Sequence, residues 1–157
     1  MDHIHRYALR LAWSGSRQGP AQKYETYSRE FRIEIPGKPA ITGSSDPTFL
    51  GDPALVNPED MLLAALSSCH MLSYLALCVR SRIAVSAYVD EASGTMSEKT
   101  KNRMGFSEVV LRPRVTVATG ADLAKANALH DKAHEICFIA NSVNFPVRHE
   151  AEIVADD

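Results

Sequence analysis

The 157-residue sequence has little excess charge, no internal repeat and no low-complexity segment. Its 17 basic and 19 acidic residues leave a net charge of -2, which is too small to suggest a nucleic-acid partner. We expect no segment to span a bilayer, which would need roughly 20 consecutive apolar residues. The N-terminal segment lacks the apolar stretch of a signal peptide, so the expected location is cytoplasmic.

Cysteine is scarce, with only Cys69, Cys78 and Cys137 in the chain. An odd count in a chain without an export signal argues against a framework of structural disulfides. The remaining uses for these thiols are reaction, metal binding and packing in the core.

The length and the apolar content of 45% predict one globular domain over residues 1–157. Two helices are predicted, at 58–80 and 121–138. Alternating side chains and turn signals predict strands at 4–13, 24–35, 83–95, 104–119 and 146–154. This order of strands, helix, strands, helix and strand predicts an α+β fold with a mainly antiparallel sheet.

Residues 36–57 form a stretch rich in proline and glycine between a predicted strand and the first helix. A loop of about 20 residues is longer than compact domains usually contain without a functional reason. The stretch is therefore expected to be a lid or the wall of a substrate pocket.

The helix at 58–80 begins with local start signals. Asn57 can cap it, Pro58 suits its first position, and Glu59 places negative charge in its first turn. Most of the following residues are apolar or small, which is typical of a buried helix. Cys69 lies in the middle of this helix among alanines and serines, which leave room for a molecule to approach its sulfur.

Two sequence contexts carry a family resemblance. One is Asn57-Pro58-Glu59 with Cys69 ten residues after the glutamate, and the other is the segment Ile136-Cys137-Phe138-Ile139-Ala140-Asn141-Ser142-Val143. Together they resemble the OsmC/Ohr family of thiol-dependent peroxidases. The resemblance covers most of the chain, roughly from the first strands to the end. It is specific because two cysteines and a glutamate match in order and context.

The resemblance implies a fold and an assembly. The implied fold has mainly antiparallel sheets packed on two long helices, and the implied assembly is an intertwined homodimer with active sites at its interface. Two long apolar helices independently suggest such a partner, because one sheet does not cover them.

The resemblance also implies a chemistry without a cofactor, in which organic hydroperoxides are reduced as part of oxidative-stress defence. Cys69 would be the peroxidatic thiolate that becomes a sulfenic acid. Cys137 would be the resolving thiol, giving a Cys69–Cys137 disulfide. An external dithiol, lipoyl- or thioredoxin-like, would then reduce that disulfide.

A cation is needed beside a peroxidatic thiolate. In the family an arginine held by the motif glutamate serves, and here that glutamate is Glu59. Arg29 is the expected cation because it interrupts an apolar strand face, and Arg32 is the alternative. The family places its arginine just before the helix, whereas residues 41–57 contain none. Ten helical residues would separate Glu59 from Cys69 by about 15 Å, so either a kink in the helix or a partner subunit that donates Glu59 and Arg29 is needed. The interface site that the resemblance implies favours the partner.

Other interpretations of these residues stay open. Cys78 lies nine residues from Cys69, about 13 Å along a helix, and is assigned to the core. His70 is expected to be a packed or interface histidine. His130, His134 and Cys137 share a helical face and could form a Cys2His2 metal site with Cys69, unless His130 faces solvent.

Two other function classes remain possible for the chain. One is a redox-responsive protein whose disulfide is a signal, and the other is a small-ligand-binding protein without significant turnover. Turnover of a bulky organic hydroperoxide with a dithiol would separate the peroxidase from both.

Overall fold

A computed structural model describes residues 4–156, and the chain divides into two compact units at Leu62 and Leu63. The helices are α1 (Pro58–Arg80) and α2 (Leu123–Ile136). The strands are β1 (Arg10–Ala12), β2 (Phe31–Glu34), β3 (Ile41–Gly43), β4 (Val85–Asp90), β5 (Ser93–Thr100), β6 (Arg103–Leu111), β7 (Pro113–Val117), β8 (Val147–His149) and β9 (Glu152–Ala155). The single domain expected over 1–157, whose terminal residues 1–3 and 157 lie outside the described part, stays a prediction.

The first unit contains a small antiparallel sheet in the order β1-β2-β3. The strands predicted at 4–13 and 24–35 are much shorter than expected. A 3-10 helix follows β1 at Ser14–Gln18, and the backbone before β2 is turned, with the Tyr27 N–H donating to the Lys23 carbonyl at 3.3 Å. Arg29 therefore precedes β2 and is not part of a strand, which corrects the strand-face interpretation.

The stretch 36–57 is more regular than the expected loop. It contributes β3 to the sheet and contains a 3-10 helix at Pro47–Phe49. Asp46 caps that helix, since its carboxylate accepts the Thr48 N–H at 2.7 Å. Its expected role as a lid or as the wall of a substrate pocket stays a prediction.

Helix α1 begins and ends where the sequence predicts. The Asn57 side-chain oxygen accepts the Asp60 N–H at 2.8 Å, and the Asp60 carboxylate accepts the Asn57 N–H at 3.2 Å. These reciprocal bonds satisfy donors that a helix start otherwise leaves free. The helix is then continuous to Arg80.

The expectation that α1 is buried all round is wrong for the single chain. Its fully buried residues recur every fourth position and form one stripe, consisting of Leu66, His70, Tyr74 and Cys78. On other faces Leu72 is 63% exposed and Val79 is 75% exposed. One stripe therefore packs within the second unit, and much of the apolar surface is uncovered.

The second unit contains two three-stranded sheets, β4-β7-β9 and β5-β6-β8. Each combines an antiparallel pair with a parallel third strand, β9 in one and β8 in the other. The strands predicted at 83–95, 104–119 and 146–154 each divide into two strands. At one division the Arg112 N–H donates to the Asp90 carboxylate at 2.6 Å instead of to a strand carbonyl, which lets the chain leave one sheet for the other.

The principal core of the second unit lies between the two helices and the sheet β4-β7-β9. It combines Tyr74 and Cys78 of α1, Val115 and Val117 of β7, and three residues of α2, namely Ala126, Leu129 and Ala133. The helix predicted at 121–138 is confirmed with narrower bounds, since Asp122 caps α2 by accepting the Lys125 N–H at 2.9 Å. The α+β prediction is confirmed, with mixed sheets in place of a mainly antiparallel one in this unit.

Helix α1 is long and apolar enough to cross a membrane when judged by length and composition alone. The expectation that no segment reaches that threshold is therefore wrong. A core helix of a soluble protein passes the same test, so this property is weak evidence for a membrane. Only 22% of its most apolar window is buried within the described chain.

Candidate functional site

The second unit brings the two motif cysteines together. Cys69 lies in the middle of α1, and Cys137 follows the last residue of α2. The two thiols are close enough for Cys69 to contribute to raising the pKa of Cys137. Cys69 is half-buried, whereas Cys137 is 1% exposed, so a molecule from solvent reaches Cys69 first.

Cys137 is held at the point where α2 ends. Its N–H still donates to the His134 carbonyl at 3.3 Å, but its backbone is already extended. Burial, with a smaller contribution from Cys69, raises the pKa of Cys137 to about 11, although the N–H groups of Ala140 and Ile139 oppose this. Cys137 is therefore a protonated thiol at neutral pH.

Cys78 belongs to the core, as the sequence predicts. It is fully buried beside Tyr74, and burial raises the pKa of its thiol. A buried, protonated thiol is a poor nucleophile, so Cys78 has no place in the candidate site.

Arg29 and Glu59 belong to the first unit. The Arg29 guanidinium donates to the carbonyls of Tyr27, at 2.6 Å, and Tyr24, and it lies 4.0 Å from the centre of the Tyr27 ring. Among residues 4–156 it forms no ion pair with Glu59, which is half-buried in the first turn of α1. The alternative cation, Arg32, pairs with Glu34 at 3.2 Å.

Two buried histidines connect α1 to α2, and sequence reasoning did not pair them. The His70 Nε2 and His130 Nδ1 atoms are 3.0 Å apart, and the planes of the two rings are within 6° of parallel. The His130 ring also stacks on Tyr74 with ring centres 3.8 Å apart. Both histidines are at most 1% exposed, so the suggestion that His130 faces solvent is wrong, whereas His70 is packed as expected.

Further ionisable groups surround the histidine pair. The His149 ring of β8 lies 5.6 Å from His70 and 5.7 Å from His130, and its Nε2 lies 3.1 Å from the Asp131 carboxylate. His134 lies 6.3 Å from His149. A helical-face count could have indicated His130, because it shares the buried face of α2 with Ala126 and Ala133.

Burial keeps both histidines neutral. Burial, with smaller contributions from His149 and His134, lowers the pKa of His70 to about 4. Burial, with smaller contributions from His70 and His149, lowers the pKa of His130 to about 3. At neutral pH each ring carries one proton, and one of those protons lies between the two rings.

The Cys2His2 metal site considered from the sequence does not form. In the described part of the chain, no cluster of three or more histidine, cysteine or carboxylate side chains is arranged to hold a metal ion. The ring centres of His70 and His130 are 5.3 Å apart, and the facing Nε2 and Nδ1 atoms are 3.0 Å apart. The difference is close to the sum of the two distances from ring centre to nitrogen, so both nitrogens lie near the line that joins the ring centres. The two nitrogens therefore point at each other instead of converging on a third position.

Comparisons with known proteins agree with this architecture. The family model for OsmC-like proteins matches residues 51–152. A solved OsmC-like protein of unknown function from Vibrio cholerae is 34% identical, with a TM-score of 0.85 and coverage of 94% of this chain and 99% of that chain. The chain belongs to the OsmC-like family.

Two further proteins are similar to this chain. The uncharacterized protein YmaD of Bacillus subtilis is 26% identical over 152 residues, which cover 94% of this chain and 93% of that protein. An organic hydroperoxide resistance protein from Elizabethkingia anophelis superposes with a TM-score of 0.71, covering 99% of this chain and 100% of that chain. At 15% identity, that likeness shows the fold alone.

The histidine pair predicts an acid-sensitive fold. An unfolded histidine has a pKa near 6.5, so below that pH the unfolded chain binds protons that the folded His70 and His130 do not. The contribution of these two neutral histidines to the free energy of unfolding is therefore fully present above about pH 6.5, and it is lost as the pH falls towards 4. The shift at His70 alone corresponds to on the order of 3 kcal/mol. Urea unfolding between pH 7 and pH 4 measures this loss.

The matched control for this prediction carries side chains that do not titrate. In the double variant His70→Gln/His130→Asn, the free energy of unfolding should vary less with pH than in the unsubstituted protein. Equal pH dependence in the two proteins would contradict the assignment of the acid sensitivity to this pair.

Proposed function

We propose that this protein is a thiol peroxidase that reduces organic hydroperoxides in oxidative-stress defence. The observation that carries the proposal is the placement of a half-buried Cys69 beside a fully buried Cys137. In this proposal the accessible Cys69 thiol reacts with the hydroperoxide, and the buried Cys137 thiol then reacts with the oxidised Cys69. Family membership supports the proposal, because other proteins of this fold are named as organic hydroperoxide resistance proteins.

The first step consumes the peroxide. The Cys69 thiolate attacks the terminal peroxide oxygen, so an S–O bond forms and the O–O bond breaks. The departing alkoxide takes up a proton and leaves as an alcohol. Cys69 is then a sulfenic acid.

The second step closes a disulfide between the two cysteines. The Cys137 sulfur attacks the Cys69 sulfur, an S–S bond forms, and the hydroxyl group leaves with the Cys137 proton as water. The high pKa of Cys137 keeps it protonated, so it does not compete with Cys69 for peroxide. An external dithiol, lipoyl- or thioredoxin-like, then restores both thiols by exchange.

The proposal includes a homodimer with its sites at the interface. Leu72 and Val79 of α1 expose more than half of their surface in the single chain, and a second copy would cover them. A polar contact favours this over a lipid environment, since the Ser67 hydroxyl of α1 donates to the Asp90 carboxylate. The proposal includes a cytoplasmic location and neither a membrane nor a nucleic-acid partner.

Arg29 and Glu59 complete the proposed site from the partner subunit. A ten-residue helical rise of about 15 Å keeps Glu59 away from Cys69 of its own chain, whereas an interface could bring the partner's copy close. Arg29 would supply the cation that favours the Cys69 thiolate, and Glu59 would orient it. Arg32 is the alternative to Arg29.

The experiment that tests the proposal compares an organic hydroperoxide with hydrogen peroxide. Exposed apolar side chains follow or flank the cysteines, with Phe138 77%, Leu72 63% and Ile136 45% exposed. Burying about 60 Å2 of an alkyl or aryl group against such surface contributes roughly 1.5 kcal/mol, or on the order of tenfold in kcat/KM. Cumene or tert-butyl hydroperoxide should therefore exceed hydrogen peroxide by about that factor in a dithiol-coupled assay.

The outcomes of that assay separate the candidate functions. If kcat/KM for the organic hydroperoxide does not exceed kcat/KM for hydrogen peroxide, apolar contact does not contribute to substrate preference. The two-cysteine chemistry would still stand, because it depends on other residues. No dithiol-dependent turnover of any hydroperoxide would instead favour the redox-responsive or ligand-binding alternatives.

The three cysteines should respond differently to substitution. Cys69→Ser should abolish turnover because it removes the attacking sulfur. Cys137→Ser should react once and stop at the sulfenic acid, which a dimedone adduct detected by mass spectrometry would report. Cys78→Ser is the control and should keep its turnover, because that thiol lies in the core. The assignment of Cys69 and Cys137 as the reacting cysteines would be contradicted if folded Cys78→Ser lost turnover while the other two variants kept it.

Removing Arg29 should slow the reaction of Cys69. In Arg29→Ala the thiolate loses its cation, so the rate of alkylation of Cys69 by iodoacetamide at neutral pH should fall about tenfold. Arg32→Ala is the matched control, because it removes a second cation, three residues away in β2. The reverse pattern would transfer the role to Arg32, and two unchanged rates would exclude both arginines.

A further inference from the structure

The histidine pair lies on the two helices that position the cysteines. His70 directly follows Cys69 on α1, and His130 lies on α2 two turns before Cys137, the residue that follows the end of that helix. The bond between the rings joins positions that are 60 residues apart in the chain. The bond between the histidines and a disulfide between Cys69 and Cys137 would therefore connect the same two parts of the fold.

The histidine link is well shielded and directional. Both rings are almost completely buried, and their facing nitrogens are aligned along the line between the ring centres. Tyr74 stacks on His130 and restricts its rotation. A buried hydrogen bond of this kind is costly to break, because each ring would lose a partner that water cannot replace.

We propose that the hydrogen bond between His70 and His130 is a positioning device that holds Cys69 and Cys137 in reach of each other. His70 and His130 touch no substrate in this account and act through the two helices. The inference deepens the proposed function, since it concerns how readily the disulfide of the proposed reaction closes.

The histidine bond and the Cys69–Cys137 disulfide are thermodynamically linked if both restrain the same two helices. A disulfide closes more readily when the folded dithiol form already holds its sulfurs together, because less freedom is lost on closure. If the histidine bond restricts the helices, removing it must weaken disulfide formation by the same factor that disulfide formation strengthens the bond. The effect is measurable as an equilibrium constant and needs no hydroperoxide.

The test equilibrates the purified protein with mixtures of oxidised and reduced glutathione. One oxidised glutathione accepts two electrons from the Cys69–Cys137 dithiol, giving the protein disulfide and two reduced glutathione molecules that carry the two thiol protons. Acid quenching, alkylation and mass spectrometry give the oxidised fraction at each ratio. A Cys78→Ser background restricts the measurement to the two cysteines of interest.

His130→Leu removes the bond and should lower the equilibrium constant for disulfide formation about tenfold. His70→Gln/His130→Asn places amide groups near the positions of Nε2 and Nδ1, so a hydrogen bond can form again and the constant should return towards that of the unsubstituted protein. His134→Leu is the control, because it removes an imidazole from α2 without touching the bond. Circular dichroism identifies any variant that does not fold.

The outcomes distinguish this inference from the proposed function. An equilibrium constant in folded His130→Leu equal to that of the unsubstituted protein would overturn the inference. If His130→Leu does not fold, the double variant decides: it overturns the inference when it folds and its constant stays about tenfold low. Failure of the unsubstituted protein to reduce any hydroperoxide would overturn the proposed function and leave the positioning result unaffected.

Discussion

The stacking of Tyr74 on His130 is the contact on which the candidate site depends. Their ring centres lie 3.8 Å apart in the core between α1 and α2. This contact sets which faces of the two helices meet, and Cys69 and Cys137 are carried by those helices. Cys69 within α1 and Cys137 directly after α2 are held more firmly than residues in the middle of long loops, because the rotation of each helix is fixed by its buried neighbours.

The three thiols differ in burial. Cys69 is partly accessible, Cys137 is buried beside it, and Cys78 is buried in the core. Burial raises the pKa of both Cys137 and Cys78, yet only Cys137 has another thiol beside it. These differences in environment are the ones that the proposed reactive role of Cys69, resolving role of Cys137 and core position of Cys78 require.

The features that the sequence predicted correctly depend on local signals. The start of α1 at Pro58 followed from the capping residue Asn57, and the core position of Cys78 followed from helical rise. The division of the predicted strands could not be predicted in this way. One of these divisions coincides with the bond from the Arg112 N–H to Asp90, which joins residues 22 positions apart.

The candidate site shows the same limit. The motif residues Cys69 and Cys137 were recognisable because each lies in a characteristic local context. The bond between His70 and His130 was not recognisable, because nothing in either helix specifies the residue that faces it across the core. Arg29 is the opposite case, because the sequence pattern predicted a feature that the structure lacks. An alternating pattern suggested a strand at Arg29, whereas the residue precedes β2 and its guanidinium donates to nearby backbone carbonyls.

The most direct test of the central claim is the identity of the disulfide formed by one equivalent of organic hydroperoxide. Intact-mass measurement and peptide mapping under non-reducing conditions would report it. The account predicts the loss of two hydrogen atoms and a single peptide pair joining Cys69 to Cys137. A bridge from Cys69 to Cys78, or no loss of hydrogen at all, would contradict it.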